Sequence, residues 1–207
     1  MNRPNPRMQR NILVVPASSP ARTALALIAE AKANPGKLTY GSAGIGASQH
    51  LAGALFKNIT KVDVLHVPYK GSGPAAADLM AGHISMMLDT GSLPHIAGGK
   101  LRALAVASRA RLPALPDVPT FDELGVRGMF ASAWYGLMAP AGTPRAIIER
   151  LNRESNAVLQ SADFRKHLTD FGAEIGGGTA EEFAAFAIAE IKHYEEIVAL
   201  SGAKMEQ

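Results

Sequence analysis

The 207-residue chain has no cysteine. That excludes disulfides, thiolate chemistry and cysteine-based metal sites, and it leaves the compartment open between cytoplasm and bacterial periplasm. No apolar run approaches the ~18 residues of a membrane span. The run Ile12 to Val15 near the amino terminus is also shorter than the roughly 7–15 apolar residues of a secretory signal, so the sequence as written is expected to carry no export signal. Charge of one sign is scarce too: 21 basic and 18 acidic side chains leave a net +3. The basic residues are dispersed, apart from Arg3, Arg7 and Arg10 and the pair Arg109 and Arg111, which argues against a nucleic-acid surface.

Several enzyme signatures are missing as well. A dinucleotide fingerprint after Gly44 and Gly46 needs a third glycine where Gln49 stands. The two Gly-Lys pairs, Gly36-Lys37 and Gly99-Lys100, are each followed by leucine rather than the serine or threonine of a P-loop. No G-x-S-x-G nucleophile elbow occurs. His50, His66, His83, His95, His167 and His193 lack metal-ligand spacing and read as surface or hydrogen-bonded residues. Neither a metal nor a cofactor is expected, and no residue is assigned a catalytic role.

What is present is an ordinary globular composition, 47% hydrophobic, long enough for a substantial core. The chain is organised around Leu38 to Leu51, which reads as a short strand, a glycine-rich turn and an amphipathic helix apolar at Leu51, Ala54 and Leu55. Glycines at 41, 44 and 46 permit a sharp turn and close approach of a ligand. The free N–H groups and dipole at the helix start make this an expected anion site.

Residues 1–10 read as a leader, and Asn11 to Val15 as a buried strand. Ser18-Ser19-Pro20 starts a helix over 21–33, which Asn34-Pro35-Gly36 stops. Strands follow at 62–67, 84–88 and 101–106, with helices at about 74–81 and 93–97. This alternation predicts an α/β fold with a largely parallel sheet. Residues 108–128 are an irregular crossover with one helical turn at 121–124, and 132–138 a further strand in which Trp134 and Tyr135 read as packing residues. Thr143-Pro144 caps one helix, a second spans 162–171, and a short strand follows at 173–175. Thr179 and Glu182 have capping-box spacing for a long helix to about residue 200.

Three loops, 41–48, 68–74 and 89–92, fall at carboxyl ends of expected parallel strands, where open α/β sheets bind ligands. His50 beside the turn has two readings, ligand contact or local backbone cap. Asp89 likewise reads as a general base or as an acceptor for a ligand or for nearby loop amides. With no nucleophile or partner acid in view, binding is favoured over catalysis.

The run Gly41-Ser42-x-Gly44-x-Gly46-x-Ser48-Gln49-His50-Leu51-Ala52 resembles the signature of the substrate-binding receptors of tripartite tricarboxylate transporters, the Bug-type receptors. His66 to Gly71, Gly99 to Val106, Leu115 to Thr120, Trp134 to Leu137 and Ala139 to Pro144 agree, in the expected order. The resemblance implies a type II periplasmic-binding-protein-like fold: one largely complete α/β lobe at 16–132, a leader and hinge strand at 1–15, and a second hinge strand with C-terminal helices of the other lobe at 133–207. It implies a monomeric periplasmic receptor that presents a small organic anion (a di- or tricarboxylate, an acidic amino acid or an aromatic acid) to integral-membrane permease subunits. On matching positions the ligand is lined by Ser42, Ala43, Gly44, Gly46, Ala47, Ser48, His50, Tyr69, Lys70, Gly71, Asp89 and Thr90; where Thr90 stands, the family often has asparagine. Against the family pattern, the signal peptide and most of the first lobe are expected to be absent, which removes half of the cleft and makes the chain cytoplasmic if it is complete. The alternatives are a fragment that is inactive or needs a partner, and an enzyme acting on a small carboxylate through Asp89 with His50 or Tyr69.

Overall fold

A computed structural model describes residues 7–170, 173 and 175–201. Two β-strands come first, β1 (Arg7–Arg10) and β2 (Ile12–Pro16). Helix α1 (Ala24–Ala33), β3 (Thr39–Ser42), α2 (Ser48–Thr60) and β4 (Leu65–Pro68) follow. Next are α3 (Ser72–Ala81), β5 (Met86–Asp89), α4 (Leu93–Ala97) and β6 (Leu101–Val106). The chain continues through β7 (Ser132–Tyr135), α5 (Arg145–Gln160), α6 (Ala162–Asp170) and α7 (Ala180–Ser201).

One five-stranded sheet in the order β4-β3-β5-β2-β6 carries the core. Successive side chains of a strand point to opposite faces, and both faces here are covered. Leu13, Val15, Met86 and Leu88 pack on one side with Leu27, Ile28 and Phe56 from α1 and α2. Ile12, Val14 and Met87 pack on the other with Ala75, Leu79 and Leu93 from α3 and α4. Strand β3 runs parallel to β4 and β5, as expected, but β2 runs antiparallel to both β5 and β6. An apolar run records that both faces are buried, and it carries no information on strand direction.

The amino-terminal leader needs correction. Arg7–Arg10 form β1, paired antiparallel with β7 so that Arg10 faces Ser132 and Arg7 faces Tyr135. Arg-Met-Gln-Arg shows no apolar alternation, so only its tertiary partner makes it a strand. Residues 1–6 lie outside the described residues. At the junction of β1 and β2, Asn11 N–H donates to Ala131 O at 3.1 Å and Ala107 N–H donates to Asn11 O at 2.9 Å. The two chain crossings therefore run side by side.

Other boundaries shift for identifiable reasons. Helix α1 begins after Thr23, whose Oγ1 accepts from Ala26 N–H at 3.1 Å, rather than after Ser18-Ser19-Pro20. The guanidinium of Arg102 on β6 donates to the carbonyls of Ala17, Ser19 and Ala21, and so ties that stretch to the sheet. Thr143 does not cap α5; its Oγ1 donates to Pro140 O at 2.8 Å, closing a turn, and Pro144 occupies the cap position. The strand expected at 173–175 does not form at Ala173 or Ile175, and Glu174 lies outside the described residues. Phe171 and Gly172, expected to end α6, lie outside them as well. The capping box at the start of α7 is formed: Thr179 N–H donates to Glu182 Oε2 at 2.8 Å, and Glu182 N–H to Thr179 Oγ1 at 3.1 Å. Trp134 of β7 packs edge-on against Phe183 and Phe186 of α7, at centroid distances of 5.9 and 5.5 Å.

Helix α2 lies close against the sheet at Gly53, where a Cβ would collide with the ring of Tyr40 on β3. Alanine is the better helix former by about 1 kcal/mol, but overpacking costs about 1–3 kcal/mol. Gly53→Ala is therefore expected to lower the urea midpoint, despite the gain in helix propensity. An unchanged or raised midpoint would show that Tyr40 has room to move.

Candidate functional site

The carboxyl ends of parallel strands β3, β4 and β5 meet at one edge of the sheet. Strand β3 leads into the glycine turn. Gly44 (φ +137°) and Gly46 (φ +81°) adopt conformations that L side chains rarely reach. Gly41 serves differently: it lies within β3, and a Cβ there would collide with Ile84. Ala47 N–H donates to Gly44 O at 3.2 Å, which closes the turn onto α2. The N-cap of α2, Ala47, makes no side-chain capping bond, and the first turn holds no acidic residue. The opening amides of the helix, with their share of the helix dipole, are thus unmatched by a protein carboxylate.

The 69–71 loop is hydrogen-bonded along this turn. Tyr69 N–H donates to Ser42 O at 3.0 Å, and Gly71 N–H to Ala43 O at 3.1 Å. Ser42, Ala43, Gly44, Gly46, Ala47, Ser48, Tyr69, Lys70 and Gly71 are thereby brought onto two adjoining loops. Lys70 is exposed there and makes no ion pair among the described residues. The Tyr69 hydroxyl turns away and donates to Asp78 Oδ2 on α3 at 2.7 Å. Burial, then the bonded Asp78 carboxylate, push that phenol up to about 12. In return the Tyr69 and His83 hydrogen bonds hold the Asp78 carboxyl below its usual range.

Asp89 is buried and fully engaged by the protein. It accepts from Gln49 Nε2 at 3.1 Å, Gly91 N–H at 3.0 Å and Ser92 Oγ at 2.6 Å. Through Gln49 it ties the third loop to the first turn of α2. Of its two sequence readings, the acceptor of nearby loop donors is the observed geometry. Thr90 beside it is buried.

His50 is also buried, and its Nδ1 accepts from Gly46 N–H at 3.0 Å, so it caps local backbone. Its ring stacks on His66 with centroids 4.2 Å apart, and His66 stacks on Tyr40 at 4.8 Å. His66 Nε2 lies 2.7 Å from Ser42 Oγ. Ser42 Oγ also donates to Gly44 O and accepts from Gly44 N–H. All three contacts of that hydroxyl are satisfied together when the His66 proton sits on Nε2. Burial, then His50 and Lys57, push His66 down to about 4, and burial alone lowers His50. Burial likewise pushes Tyr40 up to about 12.

Sequence reasoning missed His66, Tyr40 and Gln49. A usable signal was present for two of them: Tyr40 and Ser42 share one face of β3, and the β3–β4 register sets His66 opposite Tyr40. Among the described residues no group of three or more histidine or acidic side chains is arranged to hold a metal. A cavity of about 680 Å³ lies elsewhere, between β7, α5 and α7, lined by Tyr135, Leu137, Met138, Ile148, Leu151 and Phe183 among others. Leu137 and Met138 on its rim are largely exposed. Among the described residues no helix is long and apolar enough to cross a membrane.

The sequence model of the tripartite tricarboxylate transporter family receptor matches residues 7–202. A curated relative, the UPF0065 protein in the tcbD-tcbE intergenic region of Pseudomonas sp. (strain P51), is 42% identical over 191 residues, covering 91% of this chain and 57% of that protein. The solved structure of R. palustris Rpa4515 with adipate superposes with a TM-score of 0.89 at 36% identity, over 95% of this chain and 67% of that one. MatC (Rpa3494) from Rhodopseudomonas palustris with bound malate gives 0.86 at 31% identity, over 93% and 67%. The chain thus spans rather more than half the length of the curated relative, and it shares the fold of these receptors.

The depressed His66 value makes stability depend on pH with a definite sign. Above about 6.5 the folded and unfolded forms are both neutral at this position, and the stack contributes in full. Below it the unfolded chain binds a proton that the folded chain does not, so stability falls as pH drops towards about 4. Urea midpoints measured across this window should decline, and His66→Gln should flatten the decline. An equal slope in both proteins would remove His66 as the cause.

Proposed function

The chain belongs to the tripartite tricarboxylate transporter family of receptors, and from that premise we propose that it binds a small organic carboxylate at the glycine turn. The observation that carries this reading is the uncapped start of α2 behind Gly44 and Gly46, beside Lys70. An anion accepted there meets main-chain donors and the positive end of a helix dipole. Adipate and malate in the two similar structures belong to the same chemical class. Asp89 has its oxygens engaged by three donors, so it supports the shape of the site rather than proton abstraction, and a receptor fits better than an enzyme. Members of the family are periplasmic receptors. For this chain the same membership supports a periplasmic location with permease subunits as recipients, and a monomeric receptor is part of this proposal.

Residues 16–132 would form the lobe that carries the turn, and 1–15 with 133–207 would belong to the other lobe. The apolar groove between β7, α5 and α7 supports this division, since among the described residues it is an open face. It also favours a second reading, in which the chain works only with a further segment seated on that face. The two readings differ in whether the 207-residue chain binds by itself.

Thermal shifts with a panel of organic acids, adipate and malate included, should show at least one stabilising ligand. Gly44→Val, which forces a branched side chain onto φ +137° with Tyr69 O only 3.4 Å from its Cβ, should abolish that shift. A flat panel would count against unaided binding. For the groove, Trp134 is the only tryptophan and reports on β7 and α7. Its fluorescence should change at lower denaturant than the far-ultraviolet circular dichroism. Coincident transitions would mean that the C-terminal helices are as firmly held as the sheet.

A further inference from the structure

Gly46 sits at the exposed tip of the turn, and a Cβ built there would touch nothing within 4 Å. A side chain at this position would meet open space, and the Gly46 N–H is held by His50 Nδ1 at 3.0 Å. We propose that His50 is a positioning residue for the glycine turn, holding it in its binding shape only while the imidazole is neutral. This deepens the carboxylate reading and rests on it for the ligand class. Two consequences follow for the site. The Gly46 amide is engaged by the protein and unavailable to a ligand, which leaves the opening amides of α2 as the donors. The turn also becomes sensitive to proton concentration, because an imidazolium would present N–H to N–H where an acceptor is needed.

Among the described residues no carboxylate is paired with His50. Helix α2 packs against β3, β4, β5, β7 and α7. From β3 come Tyr40 and Ser42, and from β4 His66, whose ring covers His50 at an interplanar angle of 11°. Lys57 of α2 acts on His66 as a second positive charge and lies 3.8 Å from Asp63. From β5 the one carboxylate is Asp89, whose oxygens accept from Gln49, Gly91 and Ser92. From β7 and α7 come Tyr135, which is exposed, and Tyr194, whose hydroxyl donates to Ser132 O and on which Glu190 acts. Burial lowers His50, and burial, then His50 and Lys57, lower His66, so the neutral state of each ring persists below the ordinary histidine range and then gives way.

The ¹⁵N-labelled 207-residue chain without any ligand provides the test, read as the exchange protection factor of the Gly46 amide. In the wild type, protection should fall about tenfold between pH of about 7.5 and the acid pH at which the ring resonances of His50 show it protonated, the loss of one hydrogen bond. His50→Asn places an amide oxygen near the Nδ1 position and does not titrate, so its Gly46 should stay protected at both values. His50→Ala should leave Gly46 unprotected at both. Wild-type protection that ignores pH, or an asparagine variant that still follows it, overturns the proposal. If the alanine variant does not fold, the wild-type and asparagine profiles decide between them. Because no ligand is present, a failure of carboxylate binding leaves this result unaffected.

Discussion

The closeness of α2 to the sheet at Gly53 sets everything at the binding edge. With hydrogen in place of a side chain, the helix settles onto Tyr40, and the Tyr40 ring is pressed against His66. His66 then braces both Ser42 at the end of β3 and His50 in the first turn of the helix. His50 holds Gly46, and Ser42 holds Gly44. A single missing methyl is thus connected, through three stacked rings, to the two glycines whose conformations define the turn. Each stacked pair is worth about 0.5–1.5 kcal/mol beyond its burial, so the chain of rings is firm without being rigid.

The second support is Asp89. A buried carboxylate is costly unless its lone pairs are answered, and here donors from one loop and one helix answer them. The aspartate is therefore best understood as the joint between the β3–α2 turn and the β5–α4 loop. It fixes how far apart those two parts of the edge can lie, while the 69–71 backbone fixes the third part through its bonds to Ser42 and Ala43.

Much of this was legible from the residues. Glycines at 44 and 46 before a helical apolar stripe announced a turn and an uncapped helix, and both exist because they depend on local conformation alone. Thr179 and Glu182 announced their capping box for the same reason. Features that depend on distant partners were not legible. Arg7–Arg10 is a strand because Ser132–Tyr135 lies beside it. The stretch 17–21 is not helical, and a guanidinium 81 to 85 positions away claims the carbonyls of Ala17, Ser19 and Ala21. The direction of β2 was hidden because burial on both faces looks the same either way. His50 was recognised as adjacent to the turn, but its partner His66 comes from another strand, and only the β3–β4 register joins them.

The donors at the turn and at the start of α2 are main-chain groups, and this bears on how such a site changes over generations. A substitution replaces a side chain and leaves the peptide amide in place, so the ability to accept an anion is inherited with the backbone. Ile45 at the tip, 56% exposed, is free to vary without touching those donors. Lys70 on the adjoining loop is equally unconstrained by partners among the described residues. Affinity for a negative charge and preference for one acid over another are therefore encoded in different atoms. A lineage can retune the second by point mutation while the first is preserved by two glycines and a helix.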